Sequence, residues 1–171
     1  MSAKRICVLA VSVSLAMVLS FLESLIPPFV AVPGIKIGLS NTVSLFLLYL
    51  VGAPAAIAVS FVRVCLSALL FGTAVSFIYS LSGAALSLFV MILFKRLGIF
   101  SKVGVSVLGG VFHNVGQIIA AILILKTTAI VVYLPVLIAS GVVAGIAVGL
   151  IAGLVLKKAG PHILNDFWRE Q

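Results

Sequence analysis

The chain is short of charge, and shortest of acids: charged residues make up 8% of 171, and Asp and Glu together number 3. That scarcity excludes an ordinary soluble domain, because hydrophobic residues reach 64% in runs too long and too frequent for a soluble core. Cysteines number 2. Cys7 lies near the start of the first apolar run and Cys65 deep in the third, at depths roughly 10 Å or more apart by helical rise, so no disulfide joins them and neither reports a redox compartment. No Gly-x-x-x-x-Gly-Lys-Ser/Thr phosphate loop occurs, which excludes ATP hydrolysis by that mechanism. The formal charge of +8 comes without a basic stripe carrying interleaved aromatics, which argues against nucleic acid as a partner. No motif calls for a cofactor or a metal. Lys4 and Arg5 ahead of an apolar run resemble a signal peptide, but no small-x-small cleavage site follows and Glu23 interrupts the exit, so the segment reads as a retained first helix.

What is present is a series of apolar runs, each of them a helix candidate for the bilayer. The first spans about 6–26 and is ended by Pro27-Pro28. A loop from Phe29 to Lys36, turning at Pro33-Gly34, leads to a short helix at about 37–51. Gly52-Ala53-Pro54 connects to a third helix at about 55–71, and a fourth follows at about 74–94. Lys95-Arg96-Leu97-Gly98 breaks the pattern before a fifth at about 103–125, and a sixth covers about 129–156, with Pro135 marking a kink or the start of its membrane portion. The expectation is an all-α polytopic membrane protein, a single membrane domain over 1–171 built as a bundle of six transmembrane helices, with a polar cytoplasmic tail at 157–171.

Six crossings place both termini on one side. Lys4, Arg5, Lys95, Arg96, Lys102, Lys157, Lys158 and Arg169 then share that side, against Lys36 and Lys126 on the other. The positive-inside rule makes the termini cytoplasmic and the location the cell membrane, multi-pass. Glu23, Asn41, Tyr79, His113 and Gln117 then fall in the outer half. Arg63 lies about eight residues from the outer end of its helix, roughly 12 Å down. An unpaired arginine there costs at least about 2.5 kcal/mol, so it needs a partner or a wet cavity.

The fifth helix carries Gly-Gly-Val-Phe-His-Asn-Val-Gly-Gln from Gly109 to Gln117. His113 and Gln117 share a face and Asn114 stands one position round the turn. With no water in the bilayer core, these groups must find protein, ligand or cavity water. They serve either as hydrogen bonds between helices or as ligand contacts. Glu23 and Arg63 likewise form either a packing ion pair or part of an outward-opening polar pocket with Lys36, Asn41, Tyr79, His113, Asn114 and Gln117. The pocket explains more of these residues at similar depth. In that reading Arg63 anchors an anionic group, and the loop over the pocket acts as a lid. Gly141, Gly145, Gly149 and Gly153 line one face of the sixth helix and favour close helix packing, either internal or with a partner.

These residues resemble a known family, the Gx transporters, also described as heptaprenyl diphosphate synthase component I and similar to the substrate-binding S components of energy-coupling-factor (ECF) transporters. The likeness covers about Lys4 to Lys158. It rests on Ile-Pro-Pro at 26–28, Pro-Gly-Ile-Lys-Ile-Gly-Leu-Ser-Asn at 33–41, Arg63 followed by Leu-Leu-Phe-Gly at 69–72, Tyr-Ser-Leu-Ser-Gly at 79–83, His-Asn-Val-Gly-Gln at 113–117 and Tyr-Leu-Pro at 133–135. The resemblance implies an ECF S-component-like bundle whose first helix docks on a coupling protein through an Ala-x-x-x-Ala face; here the corresponding positions are Ala10, Ser14 and Val18, a departure from that pattern. It also implies a small vitamin-like or isoprenoid-related substrate, and as partners a transmembrane coupling protein and two ATPase subunits beside membrane lipid. Prenyl elongation of the usual kind needs paired aspartate-rich motifs to hold Mg²⁺ against a diphosphate, and the one aspartate is Asp166 in the tail, so the chain is expected not to be an enzyme. Two other readings are a stand-alone secondary transporter relaying charge through Glu23, Arg63 and His113, and a non-catalytic membrane partner of a prenyl diphosphate synthase.

Overall fold

The computed structural model of the chain describes residues 3–25, 38–158 and 160. The expected lid from Pro28 to Lys36 and the tail from 161 lie outside them. Among the described residues the regular structure is helical: α1 (Ala3–Ser24), α2 (Asn41–Leu50), α3 (Ala53–Phe71), α4 (Ala74–Leu97), α5 (Lys102–Leu125) and α6 (Leu134–Lys158), with a 3-10 turn at Ala129–Tyr133. Local chemistry sets the boundaries. Gly52, at φ +123°, admits the turn into α3, and Pro54 fits the first turn, where amide hydrogens have no helical partner anyway. At α4, the Ser76 amide donates to Thr73 Oγ1 (3.1 Å) and the Thr73 amide to Ser76 Oγ (2.8 Å), a reciprocal capping box. Gly98 ends α4 in the left-handed region at φ +67°. Pro135 falls at the second residue of α6, which marks that helix's start and leaves the 3-10 turn outside it.

Five helices, all but α2, are long and apolar enough to cross a membrane. The second helix, expected over about 37–51, is shorter than expected. α2 has 10 residues, about 15 Å at the helical rise, and so covers about half of a hydrocarbon core roughly 30 Å thick. Its start lies in the middle of the bundle: a Cβ on Gly38 would stand 3.4 Å from His113 Cδ2, halfway along α5. Its end meets the end of α4, where Lys95 Nζ donates to the Leu48 carbonyl. Asn41 is therefore at mid-depth rather than at an outer helix end. The reason is legible in α2 itself, whose Val43, Leu45, Leu47, Leu48 and Leu50 are all buried. A short helix apolar on every side belongs inside a protein.

Helix α5 is the axis of the bundle, antiparallel to α4 on one side and α6 on the other. Glycines set both separations. A Cβ on Gly116 would lie 2.7 Å from the Ser82 carbonyl oxygen, and one on Gly145 would lie 2.5 Å from Val107 Cα. Gly141, Gly145 and Gly149 of the α6 stripe all face α5, whereas Gly153 meets nothing within 4 Å. The stripe is thus internal packing over three of its four members. Gly145→Ala should lower the thermal stability of the detergent-purified protein by about 1–3 kcal/mol, because the clash is with backbone that cannot rotate away. Gly153→Ala should leave the melting midpoint unchanged. Equal effects at both positions would contradict this packing.

Candidate functional site

Two apolar cores occupy different depths. One gathers Leu45, Leu47 and Leu48 of α2 with Ala16, Val59, Met91, Val105 and Val148. The other joins Tyr79, Ile118, Ala121, Ile130 and Leu137 where α4, α5 and α6 meet the 3-10 turn. On α5 these cores leave a gap between Val105 and Ile118, and in it His113, Asn114 and Gln117 are at most 2% exposed. A band of buried polar groups therefore separates two hydrocarbon layers.

Each α5 side chain in that band meets a different neighbour. Asn114 Nδ2 donates to the Leu137 carbonyl at 2.6 Å and lies 3.4 Å from Ser140 Oγ, tying α5 to the first turns of α6. That is the helix-to-helix role. His113 faces Gly38 on one side and Gly83 of α4 on the other; a Cβ on Gly83 would stand 2.9 Å from both His113 Cε1 and Gln117 Cγ. Gln117 differs from its neighbours: among the described residues neither of its amide atoms has a hydrogen-bond partner, though the side chain is fully buried. Asn41 Nδ2, beside Gly38, is also unpartnered.

On the other side of the band stands Arg63, 3% exposed. Its Nη1 donates to Ser20 Oγ of α1 at 3.5 Å, while Nε and Nη2 have no partner among the described residues. These two nitrogens share one edge of the guanidinium, the edge that meets two oxygens of a carboxylate or phosphate in parallel. A Glu23 oxygen accepts the Gly38 amide hydrogen, and that edge has no partner among the described residues. Glu23 thus fastens the end of α1 to the backbone entering α2. The band includes Ser20, Arg63, Glu23, Gly38, His113 and Gln117, drawing on α1, α3, α5 and the approach to α2.

Tyr79 is buried in the second apolar core, one turn before Gly83. Ala10 and Ser14 are exposed on the outward face of α1, with the Ser14 hydroxyl returned to the Ala10 carbonyl at 3.0 Å, so this face presents little free polarity. Ser60 and Ser67 join the setting without having been singled out in the sequence, as do Ser20, Gly38 and Gly83, of which the last two stand inside the motifs at 33–41 and 79–83 without a role of their own. Ser60, Arg63 and Ser67 are spaced i, i+3, i+7 and are all buried on one face of α3, a pattern the sequence did display. Among the described residues no group of three or more His, Cys, Asp or Glu is placed to hold a metal.

The family model for heptaprenyl diphosphate synthase component I matches residues 12–155. The chain belongs to that family. No curated protein and no solved structure matches it significantly. The family match spans α2 through α5 entirely and most of α1 and α6, so it includes every described member of the polar band. Together with five apolar helices of spanning length, it makes this a multi-pass membrane protein of the heptaprenyl diphosphate synthase component I family.

The contrast between Asn114 and Gln117 is measurable. Asn114→Ala should lower the stability of ligand-free protein by about 1–2 kcal/mol, since a made interhelical bond is lost. Gln117→Leu should hold or raise stability by about 1–2 kcal/mol, because it removes two buried polar atoms that bond to none of the described residues. Thermal unfolding in detergent tests both; comparable destabilisation by the two changes would assign Gln117 a structural partner.

Proposed function

We propose that this chain is the membrane-embedded substrate-binding subunit of an importer of the energy-coupling-factor kind. It captures a small vitamin-like or isoprenoid-related molecule in the polar band and delivers it with a coupling protein and two separate ATPase subunits. It catalyses no reaction itself. The observation that carries this reading is the open edge of Arg63: a buried guanidinium with two parallel N–H groups unmet among the described residues, in a setting where an unmet charge costs at least about 2.5 kcal/mol. A bundle built only for stability would gain by replacing Arg63 with a leucine. Gln117 and Asn41 supply further unmatched donors nearby on the same band. The substrate's polar end meets Arg63, with His113, Asn114 and Lys36 as further polar contacts, Glu23 holding the entrance of α2, and Tyr79 against the apolar body. Ala10 and Ser14 supply the docking face for the coupling protein.

The test starts from the substance that co-purifies with the protein, identified by mass spectrometry. Arg63→Ala should abolish its retention while the protein remains folded, and Arg63→Lys should fail as well, because lysine keeps the charge but loses the planar fork. If Arg63 and Glu23 serve only each other, Arg63→Ala and Glu23→Ala should each destabilise the protein and the double change recover most of the loss. That recovery, with ligand retention intact, would sink the proposal.

The family description favours a second reading, a non-catalytic membrane partner of a prenyl diphosphate synthase. Co-purification with such a synthase and no retained small molecule would select it. Both readings share an orientation with the termini in the cytoplasm, drawn from the basic bias. A cysteine placed at Lys126 should react with an impermeant thiol reagent on intact cells, and cysteines near Lys95 or Lys157 should not; the opposite pattern overturns the orientation.

A further inference from the structure

The ends of α2 and α4 and the start of α5 come together at one end of the bundle, and there the chain concentrates positive charge. Lys95 Nζ and Lys102 Nζ stand 5.0 Å and 5.8 Å from the centre of the Tyr49 ring. Arg96 lies beside Lys95, and Lys157 and Lys158 close α6 at the same end. Among the described residues the one acid is Glu23, near the far end of α1. The chain's remaining acids, Asp166 and Glu170, could neutralise two of these five cations at most.

Between α5 and α6 this end opens into a concavity of about 600 Å³. Lys102 and Lys157 stand at its polar margin, Val103, Leu150 and Leu154 form apolar walls, and Gly149 and Gly153 leave the floor without side chains. Gly153 needs no such absence for packing, since a Cβ there would meet nothing within 4 Å. The concavity, open on its outer side, therefore combines a cationic margin with a shallow apolar trough along the last turns of α6. A soluble anion would use the first and waste the second; a diacyl lipid with an anionic head uses both.

We infer that the trough between the start of α5 and the end of α6 is a binding site for an anionic glycerophospholipid, its phosphate between Lys102 and Lys157 and an acyl chain along Gly153. Basic margins between transmembrane helices recognise anionic lipid heads in this way, and the attraction adds to the burial of the chain. The site is independent of the polar band, which lies at mid-depth on the other side of the α2 core.

Native mass spectrometry of the full chain, titrated with phosphatidylglycerol or with phosphatidylcholine of identical acyl chains, reads the occupancy. Phosphatidylglycerol should be retained at least about tenfold more strongly. The Lys102→Gln/Lys157→Gln double variant should erase that preference, and Lys126→Gln, at the opposite end, should keep it. Gly153→Leu fills the trough without touching charge or packing and should weaken both lipids while the protein's melting midpoint is unchanged. Equal retention of the two lipids by the unaltered chain overturns the site, as does loss of the preference in Lys126→Gln. An unaffected Gly153→Leu variant reduces the lysines to a diffuse surface charge and overturns it too. So does competition by millimolar inorganic phosphate alone, which would show an anion site with no use for the chain, or capture of an acidic protein by the same lysines with no lipid retained.

Discussion

Helix α5 fits between α4 and α6 only because glycine stands wherever the backbones touch. Gly116 meets the α4 carbonyl of Ser82, Gly83 admits His113 and Gln117, and Gly141, Gly145 and Gly149 let α6 lie directly on α5. In a bilayer, lipid removes most of the hydrophobic drive between helices, so contact area and interhelical hydrogen bonds must hold them together. The glycines supply the first and Asn114, bonded to the Leu137 carbonyl, the second. Everything polar on α5 is positioned by this three-helix sheet of close contacts, and the outer faces are left to lipid-facing residues such as Leu123, Val143 and Leu150.

Helix α2 answers a different constraint. Five spanning helices leave an interior that must be filled, and a half-length helix apolar on all sides fills it from the basic end up to the level of His113. Because α2 stops there, its first turn delivers Gly38 and Asn41 to mid-depth, beside His113. The Gly38 backbone, at φ +93°, is held by Glu23 across the bundle. A full-length second helix would have carried Asn41 toward a membrane surface and left the band without this side. Packing and polar placement are thus the same fact seen from two ends of one short helix.

The polar band itself is mixed in character. Asn114 makes bonds that hold helices together, whereas Arg63 and Gln117 keep polar atoms that the described residues do not use. A protein held together by α5 and its glycines can carry such unmatched groups, because its stability does not depend on them. This division matches the usual tension between a binding site and a well-satisfied interior.

Composition and run lengths by themselves determined the membrane class, the helical fold and most helix positions, since a long apolar run with few charges has one stable form in hydrocarbon. They also picked out Arg63, Glu23, His113, Asn114 and Gln117, because a polar side chain stands out against such a background. The motifs at 33–41 and 113–117 pointed to the family that the match over 12–155 shows. What the sequence could not give was the length of α2, whose apolar run extends past its folded ends, or the partner of each polar group. Asn114 and Gln117 look alike as letters, yet one reaches a carbonyl on α6 and the other reaches nothing described. The spacing of the glycine stripe favours close packing without naming the neighbour, and α5 is that neighbour for Gly141, Gly145 and Gly149. Such choices depend on which helix faces meet across the bundle, a property of many distant residues at once, and so only the tertiary structure decided them.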